Sequence, residues 1–101
     1  MAAVKFHVID RRGYSHLQGR ILTALCLTKN VLYGLAINHE QPSLVRDLRR
    51  FLWMDKSELP AFGAITVVGT GEQIDRFRLE MNVFDVRITS EEPVDEATLT
   101  S

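Results

Sequence analysis

The sequence predicts an α+β fold, two helices laid on one face of a small antiparallel sheet, and three observations predict it. Residues 63–90 read strand, helix, strand: an apolar run from Ala64 to Val68, a turn at Gly69 to Gly71, a polar-faced helix, and an alternating run from Val83 to Thr89. The same order is legible between Val4 and Asn38. The third observation is size: 101 residues, 46% of them apolar, supply one core and not two.

The later half is the clearer. Thr70 and Gln73 stand in capping-box spacing, where the first N–H groups of a helix otherwise lack partners. Ile74, Phe77 and Met81 recur at three and four residues and so share one helical face. Phe84, Val86 and Ile88 then alternate with Asp85, Arg87 and Thr89, as in a half-buried strand.

In the first half, Val4, Phe6 and Val8 alternate with Lys5 and His7, and Asp10-Arg11-Arg12-Gly13 is a turn signal that ends this strand. The next segment has two readings. As a helix it starts at Ser15 with Gln18 in capping-box position, buries Leu17, Ile21, Ala24, Leu25 and Thr28, and stops at Asn30. As a hairpin it pairs Arg20 to Leu27 with Val31 to Asn38 across Thr28-Lys29-Asn30. Its richness in Leu and Ala and its few β-branched residues favour the helix. Val31 to Asn38 is apolar on nearly both sides, which reads as a strand covered on two faces. After His39 to Pro42 an extra helix is expected, capped by Ser43 and fading near Ser57, with Leu44, Val45, Leu48, Phe51 and Leu52 inward and Arg46, Asp47, Arg49 and Arg50 outward.

Strand, helix, strand, extra helix, strand, helix, strand is the ferredoxin-like β-α-β-β-α-β sandwich with a helix inserted between its second and third strands. Residues 1–90 form the domain; the acidic segment 91–101 reads as a flexible tail. Glu91, Glu92, Asp95 and Glu96 of that tail turn the chain's net charge to −1, whereas residues 1–90 carry 12 basic against 9 acidic groups. Neither balance is the basic surplus that nucleic acid asks for. Cys26 is the single cysteine and lies in an apolar run, so it is expected to pack as a small core side chain, in a reducing cytoplasm. No run of about 18 apolar residues marks a membrane span or a leader.

Two helices on one side leave the other side of the sheet bare. That side should carry Lys5, His7 and Ile9, then Asp85, Arg87 and Thr89, then Ala64, Thr66 and Val68, then Leu32, Gly34, Ala36 and Asn38. Its apolar half is more than a monomer leaves in water. Phe51, Leu52, Trp53 and Met54 make the extra helix apolar over more than one stripe, and with Arg46, Arg49, Arg50, His7 and Arg87 they form the expected partner interface. Either the extra helix folds across that face through Phe51 and Leu52, or a second copy of the chain covers it, and of the two a homo-oligomer, a dimer first, is the expected state. The basic edge of Arg46, Arg49 and Arg50 would suit an acidic protein, although charged helix faces are usually just solvated.

The turn Asp10, Arg11, Arg12, Gly13 resembles the D-R-x-G opening of ACT regulatory domains. The resemblance implies an oligomerising module that senses a small ligand, often an amino acid, with these four residues near its binding site. The chain is also similar in outline to acylphosphatases, whose phosphate-binding Arg and whose Asn would correspond to Arg20 and Asn38. Tyr14 to Arg20 reads YSHLQGR, however, without the glycine-rich ring of backbone donors that such chemistry requires. Gly69-Thr70-Gly71 lacks the third glycine of a dinucleotide loop and reads as a tight turn. His7, His16, His39 and Cys26 show no ligand spacing, so no metal and no cofactor are expected. The leading expectation is a non-enzymatic regulatory or adaptor domain acting by self-association and protein docking. A ligand-sensing domain, an acylphosphatase-like hydrolase and a small phage-encoded inhibitor are the alternatives.

Overall fold

A computed structural model describes residues 1–39 and 60–95. It contains β1 (Ala2–Asp10), α1 (Tyr14–Thr28), β2 (Val31–His39), β3 (Ala61–Gly69), α2 (Gly71–Val83) and β4 (Arg87–Val94). The strands form one antiparallel sheet in the order β2-β3-β1-β4, which is the ferredoxin-like topology. The expected helix from Ser43 to Ser57 lies outside the described residues. No helix among those described is long and apolar enough to cross a membrane.

Of the two readings of residues 15–30, the helix is the one adopted. Leu17, Ile21, Ala24, Leu25 and Thr28 are its buried stripe, and the first four meet Ile74, Phe77 and Met81 of α2 in one cluster with Phe6, Val8, Ile65 and Val67 of the sheet. The rings of Phe6 and Phe77 lie 5.3 Å apart at its centre. α2 carries the full capping box: Gln73 N–H donates to the Thr70 hydroxyl at 3.1 Å, and Thr70 N–H donates to Gln73 Oε1 at 2.8 Å.

Both ends of α1 differ from the expectation. The helix begins at Tyr14 behind Gly13, whose φ of 98° and ψ of −175° belong to a region open almost only to glycine, and Ser15 therefore falls inside the first turn rather than at the cap. At the other end Lys29, with φ 58°, is the left-handed cap. Asn30 is committed elsewhere: its amide donates to Thr28 Oγ1 at 2.8 Å and to the Gln73 carbonyl at 3.0 Å, tying the end of α1 to the start of α2. Cys26 is exposed, not packed in the core, because it follows Leu25 by about 100° around the helix and so leaves the buried stripe.

β4 starts later and runs further than its alternation suggests. Val83 is the last residue of α2, Phe84 is its C-cap, and Asp85 makes the reversal at φ 63°. Val86 N–H closes the turn on the Met81 carbonyl at 2.9 Å and its side chain enters the core. The strand then continues through Glu91, Glu92 and Pro93 to Val94, paired with β1, so the expected tail is sheet as far as Val94. Arg78 of α2 holds it there by donating to Glu91 at 2.8 Å. That bond first, with Asp75 adding to it and burial opposing it, raises the Arg78 pKa above its ordinary value. Residues 96–101 lie outside the description.

β2 is an edge strand, and Val31 to Ala36 are exposed rather than covered on two faces. Its pairing with β3 shifts between Leu32 and Gly34, leaving Tyr33 as an extra residue. The shift moves Leu32 opposite Val67 on the helix side and Val31 opposite Val68 on the bare side, reversing the expected place of Leu32.

Candidate functional site

Three connections meet at one end of the sheet. Asp10 and His39 both stand opposite Ala61, and Ile9 stands opposite Arg87, so the β1–α1 turn, both ends of the β2–β3 connection and the α2–β4 turn are neighbours. At this end Asp10, Arg12, His16, Arg20 and Asp85 form one connected group of polar side chains.

The group is built on Asp10. Its side chain is only 1% exposed, at the point where β1 leaves the core. One carboxylate oxygen accepts Arg12 N–H at 2.9 Å, shaping the turn, and the other is hydrogen-bonded to His16 Nδ1. His16 is 18% exposed. With His16 Nδ1–H donating to Asp10, His16 Nε2 presents its lone pair to two donors, Arg12 Nη1 and Arg20 Nε, each at 3.3 Å. Arg12 also reaches Asp85 across the gap at 3.6 Å, and the Arg20 guanidinium lies 5.0 Å from the centre of the Phe84 ring. Next to Asp85 a shallow depression is lined by Asn82, Val86, Arg87 and Ile88.

Of the four residues expected to bind a ligand, Asp10 and Gly13 shape the turn from buried positions, while Arg11 and Arg12 are exposed. His16 and Arg20 join Arg12 although the turn motif does not include them. Their signal was the spacing 12, 16, 20, three basic side chains one helical turn apart. Arg20 and Asn38 are not brought together: Arg20 belongs to α1, whereas Asn38 stands opposite Phe62 on the side of the sheet that the helices leave bare. His7 is on that bare side, His16 is in the corner and Cys26 is on the outside of α1, and no group of three His, Cys, Asp or Glu among the described residues could hold a metal ion. At the Gly69 turn the N–H of Thr70 is used by the cap, and a side chain at Gly69 would run into Asn30 Oδ1 and Gln73 Oε1, which accounts for a glycine there without a ligand.

The bare side of the sheet is the second candidate surface. Lys5, His7 and Arg87 lie on it as expected, with Lys5 directly opposite Glu92 and His7 Nε2 3.8 Å from that carboxylate. Asp85 sits in a turn, not on this face, and Thr89 is the extra residue of a bulge, donating to the His7 carbonyl at 3.1 Å. Towards β3 and β2 the face becomes uncharged: Phe62, Ala64, Thr66 and Val68, then Val31, Gly34, Ala36 and Asn38. Phe51, Leu52, Trp53, Met54, Arg46, Arg49 and Arg50, the rest of the expected interface, lie outside the described residues. No protein-family model matches the chain, and no curated protein matches it either.

Proposed function

We propose that the chain is a non-enzymatic regulatory or adaptor domain that works by self-association and by docking a protein partner. The observation that carries this reading is the concentration of exposed, uncharged side chains at the β2 end of the sheet, where Val31 and Phe62 on the bare face, Leu35 on the helix side and Tyr33 in the bulge are each more than a third exposed. Burying such surface on a second molecule gains roughly 25 cal/mol per Å² of apolar area, before the cost of association is subtracted. In the polar corner the open nitrogen of His16 meets two guanidinium groups, an arrangement that holds charge in place and offers no nucleophile to activate. Sedimentation equilibrium of the full chain from micromolar to submillimolar concentration should show a reversible dimer. A monomer throughout that range would remove the reading.

The same corner favours a second reading, a domain that senses a small anion. Two guanidinium groups turned towards a single acceptor carry surplus donors and a mutual repulsion that a carboxylate or phosphate between them would relieve. Amino acids or inorganic phosphate at millimolar concentration should then raise the melting temperature. Saturating a site a hundredfold above its Kd contributes about 2.7 kcal/mol. No shift with any of them would exclude this second reading.

A further inference from the structure

We infer that the self-association rests on the outer edge of β2, which adds to the same edge of a second copy and joins two four-stranded sheets into one; this builds on the self-association proposed above. The two edges of the sheet are treated differently. β4 bears Arg87, Glu91, Glu92 and Pro93, a bulge at Thr89 and the Arg78–Glu91 ion pair, the usual means by which an edge is kept from pairing. β2 has no charge and no proline from Val31 to Asn38, and among the described residues no strand lies on its outer side. Its outward backbone N–H and C=O groups are a template for an extended strand.

A second β2 fits that template without conflict. The bulge at Tyr33 leaves Gly34 to Asn38 as the uninterrupted stretch of described side chains. An antiparallel pair with its two-fold axis at Ala36 sets Gly34 opposite the partner's Asn38, Ala36 opposite the partner's Ala36 and Leu35 opposite the partner's Ile37. Leu35, 37% exposed, and Ile37 share the helix side of the sheet, opposite Ile65 and Gly63, so the pairing covers both with apolar surface. Gly34 and Ala36 on the other side are small enough to let the backbones approach. An uncharged strand meets no repulsion from its own copy, and it carries no charge by which a charged foreign segment would be selected.

The test is sedimentation velocity on the full chain as wild type, Ala36→Lys, Ala36→Glu and an equimolar mixture of the two variants. Ala36 is exposed, and far-ultraviolet circular dichroism verifies that each variant is folded. Each variant alone should dimerise at least tenfold more weakly, because like charges meet on the axis, and the mixture should recover the dimer. A wild-type dimer that both variants retain would overturn the edge and leave self-association standing, as would a mixture that stays monomeric. A monomeric wild type would overturn both. If a variant fails to fold, amide hydrogen exchange on the wild type decides: protection of residues 34–38 that rises with protein concentration supports the edge, and protection independent of concentration overturns it.

Discussion

Replacing Phe77 with alanine is expected to lower the unfolding free energy by about 3–5 kcal/mol, the largest loss from any single side chain described here. Phe77 is fully buried at the meeting point of both helices and the sheet, with its ring tilted 36° against Phe6. Truncation removes the apolar area and the ring contact and leaves a hole that close packing cannot collapse. A domain of this size has about 5–15 kcal/mol in total, so the variant should unfold at a much lower urea concentration with little change in slope. Near-wild-type stability would mean that α2 does not seat on β1 as described.

Asp10→Ala should cost about 3 kcal/mol, for a different reason. Nothing apolar is lost, but two donors aimed at the carboxylate, Arg12 N–H and His16 Nδ1, are stripped of their acceptor at a position closed to water. The turn that delivers the chain into α1 then loses its tie, and Arg12 and Arg20 lose the ring orientation on which both converge. Urea unfolding reads the energy. Nitrogen-15 shifts of the His16 imidazole read the orientation, and they should lose their preference for the Nδ1-protonated tautomer. Unchanged shifts together with unchanged stability would show the pair to be incidental.

What could be read from residues alone follows from where the deciding interaction lies. α2 was legible because Thr70, Gln73, Ile74, Phe77 and Met81 lie within one another's reach along the chain and agree. The start of β4 was not. Phe84, Val86 and Ile88 have strand spacing, yet they are a helix cap, a turn residue and a strand residue, separated by a left-handed Asp85 that any loop could hold. Glu91, Glu92 and Pro93 look like a solvated tail for the same reason that they suit a guarded edge. β2 shows the converse, since an apolar strand reads the same whether helices or a partner will cover it. In the corner, the turn from Asp10 to Gly13 announced itself, but the carboxylate reaches His16 only because Gly13 bends the chain back over it.

The opposition of His39 and Ala61 has a bearing on how this domain tolerates change. The chain leaves the sheet at His39 and rejoins it at Ala61, one strand spacing apart, so the ladder sets the two end points of that excursion. Doubling the length of such an excursion costs only about 0.6 kcal/mol in closure entropy. A longer excursion between these two points thus asks little of the ladder that fixes them, beside Asp10.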